Sequence, residues 1–395
     1  MYGLFRLRCD EEAAILVTLR GYVSLLAALL ATSCGRVEFE DRRTGARCQA
    51  DSECVLATDA CRANTCTAWP SRNIATRTTL QLDRFAPTEA LGDFPLLVRV
   101  PPDAVPRDLL TAGANLSFVD TNGESLAFEL ETIGDATTPL VAWVRIPSWD
   151  GALPSIEMYV GTQAVASATA WSNAFTAVWH MTDGSDATGN GHDAIDQATT
   201  VGEGQVLAAR NFVPAMQSVM RVADAASLHL TEQTISMWVN WRGIVTPDTY
   251  QVMIGRQEGG GVLDDFAVST FNAELSTVVL FTGAGDFGPP ASTLPMNRWV
   301  HLAFVVAAEQ PTGTIHLQRF VDGVMDGEYA RDGMLAQSAN PIYLGADRNG
   351  TTDGEFFHGS IDEVRIENVA RSPAWIAATV ANMRNEIISY GPLER

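Results

Sequence analysis

The sequence predicts an all-β protein built from two consecutive antiparallel β-sandwich domains. An export leader and a short disulfide-stapled segment precede them. Three observations carry that expectation. From Asn73 onward, turn residues interrupt the chain at intervals of roughly ten, the spacing of a sandwich. The apolar stretches between these turns are short, and several alternate with polar residues at the strand period of two. The cysteines cluster ahead of this region, and none follows Cys66.

The totals agree. A chain of 395 residues, 46% of them hydrophobic, is long enough for two or three domains with substantial cores. Its formal net charge is −21, and no basic cluster breaks the acidic excess. That argues against nucleic acid or anionic headgroups as partners and suits a soluble exported protein. The 26 basic residues are all arginine, which carries no functional information.

Residues 19–35 read LRGYVSLLAALLATSCG. Arg20 supplies a positive charge, and the apolar run over 22–31 falls short of the roughly 20 residues that span a bilayer. Residues 1–33 are therefore expected to be a signal peptide, with translation from Val17 giving a more compact leader. The small residues Ala31, Thr32 and Ser33 ahead of Cys34 resemble the bacterial lipobox. That resemblance implies lipidation at Cys34 and a lipid-anchored place in the cell envelope, in the outer membrane or at the cell surface. The membrane would be touched through the lipid alone. Plain secretion after cleavage near Ala31 is the alternative.

Residues 34–72 are expected to form a cysteine-rich stalk. Cys48, Cys54, Cys61 and Cys66 have the spacing C-x5-C-x6-C-x4-C, unlike the close pairs of zinc sites. Two disulfides suit an exported chain better. Three pairings are open, and Cys48–Cys61 with Cys54–Cys66 is favoured. So small a segment has almost no core, and loop closure would order it.

The first sandwich is expected over 73–168. FPLLVRV (94–100) is a buried strand, LSFVD (116–120) leads into the turn TNG, and SLAFELE (125–131) alternates with Leu126, Phe128 and Leu130 on one face. LVAWVRIP (140–147) and SIEMYVG (155–161) follow. In order and wording these pieces resemble the bacterial family numbered 2341 among the domains of unknown function. Asn115 and Thr162 depart from its usual Asp and Asn. The family implies a fold, and a lectin-like domain as its usual neighbour, but no chemistry.

The second domain is expected over 171–392. It opens with AVWHMTDGSDATGNGHDA (177–194), a short strand ending in a loop dense in Asp, Gly and Asn. TISMWVNW (234–241) alternates, with Ile235, Met237, Val239 and Trp241 facing one way. QVMIGR, DFAVST, NRWVHLAFVV, PIYLGAD and FFHGSIDEVRIEN are further strands. In IHLQRFVDGVMDGEY, Asp322-Gly323 marks a hairpin turn. Ser372 can cap a helix with Pro373 at its first position. This series resembles the LamG-like jelly roll of the concanavalin A-like lectin/glucanase superfamily. The likeness implies the fold. It leaves function open, because the fold hosts lectins, enzymes, adhesion modules and structural domains.

GSIDEVRIENVARSPAWIAA (359–378) places Asp362, Glu363 and Glu367 within six residues. On a regular strand Glu363 and Glu367 share a face about 13 Å apart. Retaining and inverting glycosidases need about 5–5.5 and 6.5–9.5 Å. Arg365 lies between the two glutamates, and Ser360 stands where the superfamily's glucanases carry the first glutamate of their acidic motif. No catalytic residue is expected. Asp362, Val364 and Ile366 are expected on the inner face, with Glu363, Arg365 and Glu367 as a solvent-facing charge ladder.

The oxygen-rich loop over 183–193 suits Ca²⁺, which takes six to eight oxygen ligands. Relatives of this jelly roll hold calcium between such a loop and a late strand. That resemblance implies Asp186 and Asp362 as side-chain ligands, with carbonyls near Gly189 and His192. The competing reading makes Asp186 a turn cap. The six histidines show no ligand spacing. Trp238, Trp241 and Trp299 suit the core better than a sugar platform. The Gly-rich stretches near 255–265 and 282–290 lack the Lys-Ser/Thr of a phosphate loop and suit a ligand-binding rim.

These observations point to a non-catalytic envelope lipoprotein that binds or adheres, with a glycan or a surface protein as partner. A divergent glycan hydrolase is the first alternative, and a purely structural envelope protein the second.

Overall fold

The structure is a computed structural model. It describes strands at 5–7, 15–17, 60–62 and 65–67, and residues 74–394 apart from 103, 106–109, 111–114, 151–154, 162–168, 247–248, 257–264, 273, 281–285, 288–291, 310–312, 334, 336–337 and 350–351. The chain divides into two compact units. One holds Met1–Ala75 with Gly161–Gln163 and Arg395, and the other holds Thr76–Val160 and Ala164–Glu394.

In the first unit, Phe5–Leu7 pairs with Ile15–Val17. Ala60–Arg62 pairs with Thr65–Thr67, which sets Cys61 across from Cys66. The expected leader around Leu19 and the sites at Cys34, Cys48 and Cys54 lie outside the described residues.

The second unit contains both expected sandwiches. In the first, Leu91–Val100, Leu140–Trp149 and Phe128–Thr132 make a three-stranded sheet. It faces a five-stranded sheet ordered Ser389–Glu394, Ile74–Gln81, Ser155–Gly161, Leu116–Val119 and Ser125–Leu126. The stretch 125–131, expected as one strand, is two. Ser125–Leu126 pairs with Leu116–Val119, and Phe128–Thr132 pairs with Leu140–Trp149. The chain changes sheets at Ala127 and still buries Leu126 and Phe128, so alternation alone does not reveal the corner.

The jelly roll is two eight-stranded sheets. One runs through Thr200–Glu203, Ala208–Phe212, Gly359–Glu367, Gln233–Trp241, Trp299–Glu309, Thr314–Val321 and Val324–Asp332, with Phe175–Trp179 also paired to Gly359–Glu367. The other centres on Val219–Val222, Ile342–Leu344, Tyr250–Arg256 and Phe266–Phe271. Ile235, Met237, Val239 and Trp241 enter the core between them as expected. Asp322 (φ 51°) and Gly323 (φ 85°) join Thr314–Val321 to Val324–Asp332 with both central residues left-handed, the geometry of a type I′ turn.

The helix forms where expected, over Pro373–Met383. The Ser372 hydroxyl accepts the Trp375 N–H at 3.2 Å, and Pro373 needs no amide partner. Its apolar face belongs to a single cluster with Phe94, Leu97 and Trp149 of the first sandwich and Trp238, Val305 and Phe320 of the jelly roll. Asn382 accepts the Leu97 N–H and donates to the Pro95 carbonyl, both at 2.8 Å. Tyr390 accepts the Arg99 N–H at 2.9 Å. These groups satisfy the open side of an edge strand that would otherwise offer itself for pairing.

Candidate functional site

The closing strand, Gly359–Glu367, is buried along its whole length. Its expected face pattern fails at one residue. Glu363 has φ 49°, and the register against Gln233–Trp241 shifts so that Ser236 faces Arg365 while Trp238 faces Asp362. This bulge puts Ile361, Val364 and Ile366 into the jelly-roll core. Asp362 is thereby removed from the inner face, because it shares the outer face with Trp238. On the strand's far side, Ala208–Phe212 pairs only up to Ile361 and Phe175–Trp179 only from Val364. The bulge falls in the gap between them, where the N–H groups of Gln205 and Val206 reach Asp362 Oδ2 at 2.7 and 2.9 Å.

The expected solvent-facing ladder is also corrected: Glu363, Arg365 and Glu367 are 0, 2 and 2% exposed. The first sandwich covers that face. Arg365 lies 4.6 Å from the ring centre of Trp143 and 4.9 Å from that of Trp171, and donates to Glu363 Oε2 at 2.8 Å. Glu367 pairs with Arg371, whose guanidinium sits 3.7 Å from the Trp375 ring centre. Both glutamates are committed to internal ion pairs.

His180 completes the cluster. It follows the Phe175–Trp179 strand, and its ring stacks on Trp143 at 5.7 Å with an interplanar angle of 14°. Nδ1 lies 2.6 Å from Glu363 Oε1, and Nε2 lies 3.4 Å from Glu129 Oε2. Glu131 Oε2 accepts the Trp143 indole N–H at 3.1 Å, and Trp171 donates to Glu129. Ligand atoms of Glu131, His180 and Glu363 all lie within 4.8 Å of one another.

Burial and charge oppose each other here. Burial alone would lower the His180 pKa, but Glu363, Glu129 and Glu131 outweigh it and hold the imidazole well above its ordinary value. Burial would raise Glu363, but His180 and then Arg365 keep it low. For Asp362, burial, then the Glu363 charge, push the pKa well up. Burial raises Glu131 to about 7, against the pull of His180.

The expected calcium residues serve other partners. Asp186 accepts the N–H groups of Val178, Thr188 and His192 at 3.0–3.1 Å and the Thr188 hydroxyl at 2.8 Å. Its oxygens are engaged as the turn-cap reading requires. The His192 carbonyl accepts the Trp179 indole at 2.8 Å, and Gly189 supplies a left-handed turn position at φ 77°. Asp362 Oδ2 accepts the N–H groups of Gln205 and Val206. Sequence spacing missed Glu131 and His180, which lie in different domains. Their only local mark is a polar residue in or just after a buried strand. Trp238 and Trp241 are core residues, and Trp299 packs against the core.

A second feature lies on the jelly-roll rim. A groove of about 180 Å³ is lined by Val245, Tyr250 and Phe356 with Thr246, Thr249 and Glu355. Tyr250 is 39% exposed and its ring is backed by Phe271 at 4.8 Å. Gln251, at the floor, is held by the Trp241 indole and the His358 N–H, both at 3.1 Å. Glu355 is the one carboxylate among the described residues that line this groove.

No curated protein matches the chain. Domain 4 of AbnA, a GH43 extracellular arabinanase from Geobacillus stearothermophilus solved with arabinotriose, is 20% identical with a TM-score of 0.39, covering 53% of this chain and 100% of that one. The binding domain of Paraclostridial Mosquitocidal Protein 1 is 11% identical with a TM-score of 0.43, covering 52% of each chain. The Botulinum Neurotoxin Type G receptor binding domain is 10% identical with a TM-score of 0.37, covering 53% of this chain and 51% of that one. Residues 216–377 match a laminin G family described as the concanavalin A-like lectin/glucanases superfamily. The match falls within the jelly roll and agrees with its two-sheet fold.

Proposed function

We propose that this protein is a non-catalytic lipoprotein of the cell envelope that binds glycans in the groove beside Tyr250. The observation that carries the reading is the groove itself. A half-exposed aromatic ring is held rigid by a second ring and sits beside hydroxyls and a carboxylate. Sugars present C–H faces that pack on such a ring and hydroxyls that need polar partners, and a preformed concave site lowers the cost of ordering. A single carboxylate among the described lining residues supports binding over hydrolysis, since glycosidases of the common type need two. The lipid anchor at Cys34, supported by the sequence of residues 19–34, would hold the groove outside the membrane.

A glycan array probed with the full chain and with Tyr250→Ala tests this. The wild type is expected to retain a defined glycan class, and the variant to lose at least about tenfold in affinity, the effect of about 1.4 kcal/mol of ring contact. Equal binding by the two proteins would remove the groove from the reading, and release of reducing sugar would replace binding by hydrolysis. Cys34→Ser in the producing cell should move the chain from the membrane fraction to the soluble one.

A further inference from the structure

We infer that Glu131, His180 and Glu363 form a binding site for a divalent ion of the zinc class, which ties the first sandwich to the jelly roll. The inference stands apart from glycan binding, because these residues lie between the sandwiches and the rim groove does not include them.

The argument rests on how each ligand's other atom is occupied. His180 Nε2 faces Glu129, the carboxylate partner that fixes the tautomer of a metal-binding imidazole and frees Nδ1. Glu363 Oε2 is held by Arg365, leaving Oε1 beside Nδ1. Glu131 Oε2 takes the Trp143 indole, and Oε1 is buried with no hydrogen-bond partner. The neighbouring Asp362, itself 0% exposed, also has an unpartnered Oδ1. Three ligand atoms with supported outer partners thus converge to within 4.8 Å.

Four carboxyl groups, Glu129, Glu131, Asp362 and Glu363, gather here with His180, Arg99 and Arg365. One imidazole and two carboxylates suit zinc, which binds nitrogen and oxygen at about 2.0–2.2 Å, better than calcium, which takes six to eight oxygens. Zinc–ligand distances are reached by small rotations, and the proton now shared by His180 and Glu363 leaves as the ion enters. Trp143, Trp171 and Arg365 wall the site, so the ion's role is structural.

The test uses the full chain, stripped with a chelator and kept oxidised so that cysteine thiols do not compete. Wild type is expected to take up one equivalent of Zn²⁺ by titration calorimetry and to melt about 5 °C or more higher in excess metal. Glu131→Gln and His180→Gln, each checked for native circular dichroism, are expected to lose both effects. Co²⁺ in place of Zn²⁺ should give the visible bands of a nitrogen–oxygen site without thiolate charge transfer. No stoichiometric uptake, uptake unchanged in both variants, or thiolate bands would each overturn the assignment.

Discussion

His301 shows how much one buried residue can hold in reserve. It is 0% exposed, meets Trp238 edge-on at 5.2 Å, and has no hydrogen-bond partner on either ring nitrogen. Burial pushes its pKa down to about 3, helped by the charges of Arg365 and Arg384. Asp322 Oδ1 answers the backbone N–H at 3.0 Å rather than the ring. In the unfolded chain the imidazole returns to about 6.5. Below that pH the unfolded state binds a proton that the native state refuses. Stability from this group is therefore present above about pH 6.5 and lost as pH falls toward 3, by a few kcal/mol in full. His301→Leu should flatten that part of the pH–stability curve in urea melts. It should also raise neutral stability by about 1 kcal/mol, because two unpaired buried polar atoms disappear. An unchanged acid limb would contradict the account.

At the scale of elements, the closing strand and the helix obey different rules. The helix is written locally: Ser372 caps it, Pro373 starts it, and burial of Trp375, Ile376 and Val380 secures it. Ser372→Ala should cost about 1 kcal/mol of global stability in chemical denaturation, and Ser372→Gly only a few tenths. Equal losses would mean that the hydroxyl's contact with Glu89 dominates over the cap. The closing strand departs from its own alternation at Glu363, where a left-handed non-glycine residue is strained by about 1 kcal/mol or more. Ion pairs to His180 and Arg365 offset that strain, and Trp143 of the first sandwich covers both partners.

For the molecule as a whole, the helix and the closing segment link what the sequence divides into two domains. Ser389–Glu394 pairs with Ile74–Gln81, so the last strand of the chain completes a sheet of the first sandwich. One apolar cluster runs from Leu96 and Trp149 through Trp375 to Trp238 and Phe320. Neither sandwich can expose its share of that cluster without returning large apolar side chains such as Trp149, Trp238 and Phe320 to water, which is costly. Thr76–Glu394 should therefore unfold in a single calorimetric transition with equal calorimetric and van't Hoff enthalpies. Two resolved transitions would show that the interface is weaker than this.

The sequence by itself determined the all-β class, most strand positions, the Asp322-Gly323 turn, the inward face of Gln233–Trp241 and the helix at Pro373. Each of these depends on period, turn chemistry or capping within about ten residues, and such signals are local. The corner at Ala127, the bulge at Glu363 and the meeting of Glu131, His180 and Glu363 were decided only in the tertiary structure. A partner 183 positions away changes which face of a strand is wet. Charges that read as a solvated ladder become a buried network once another sheet covers them, and no spacing along the chain records that cover.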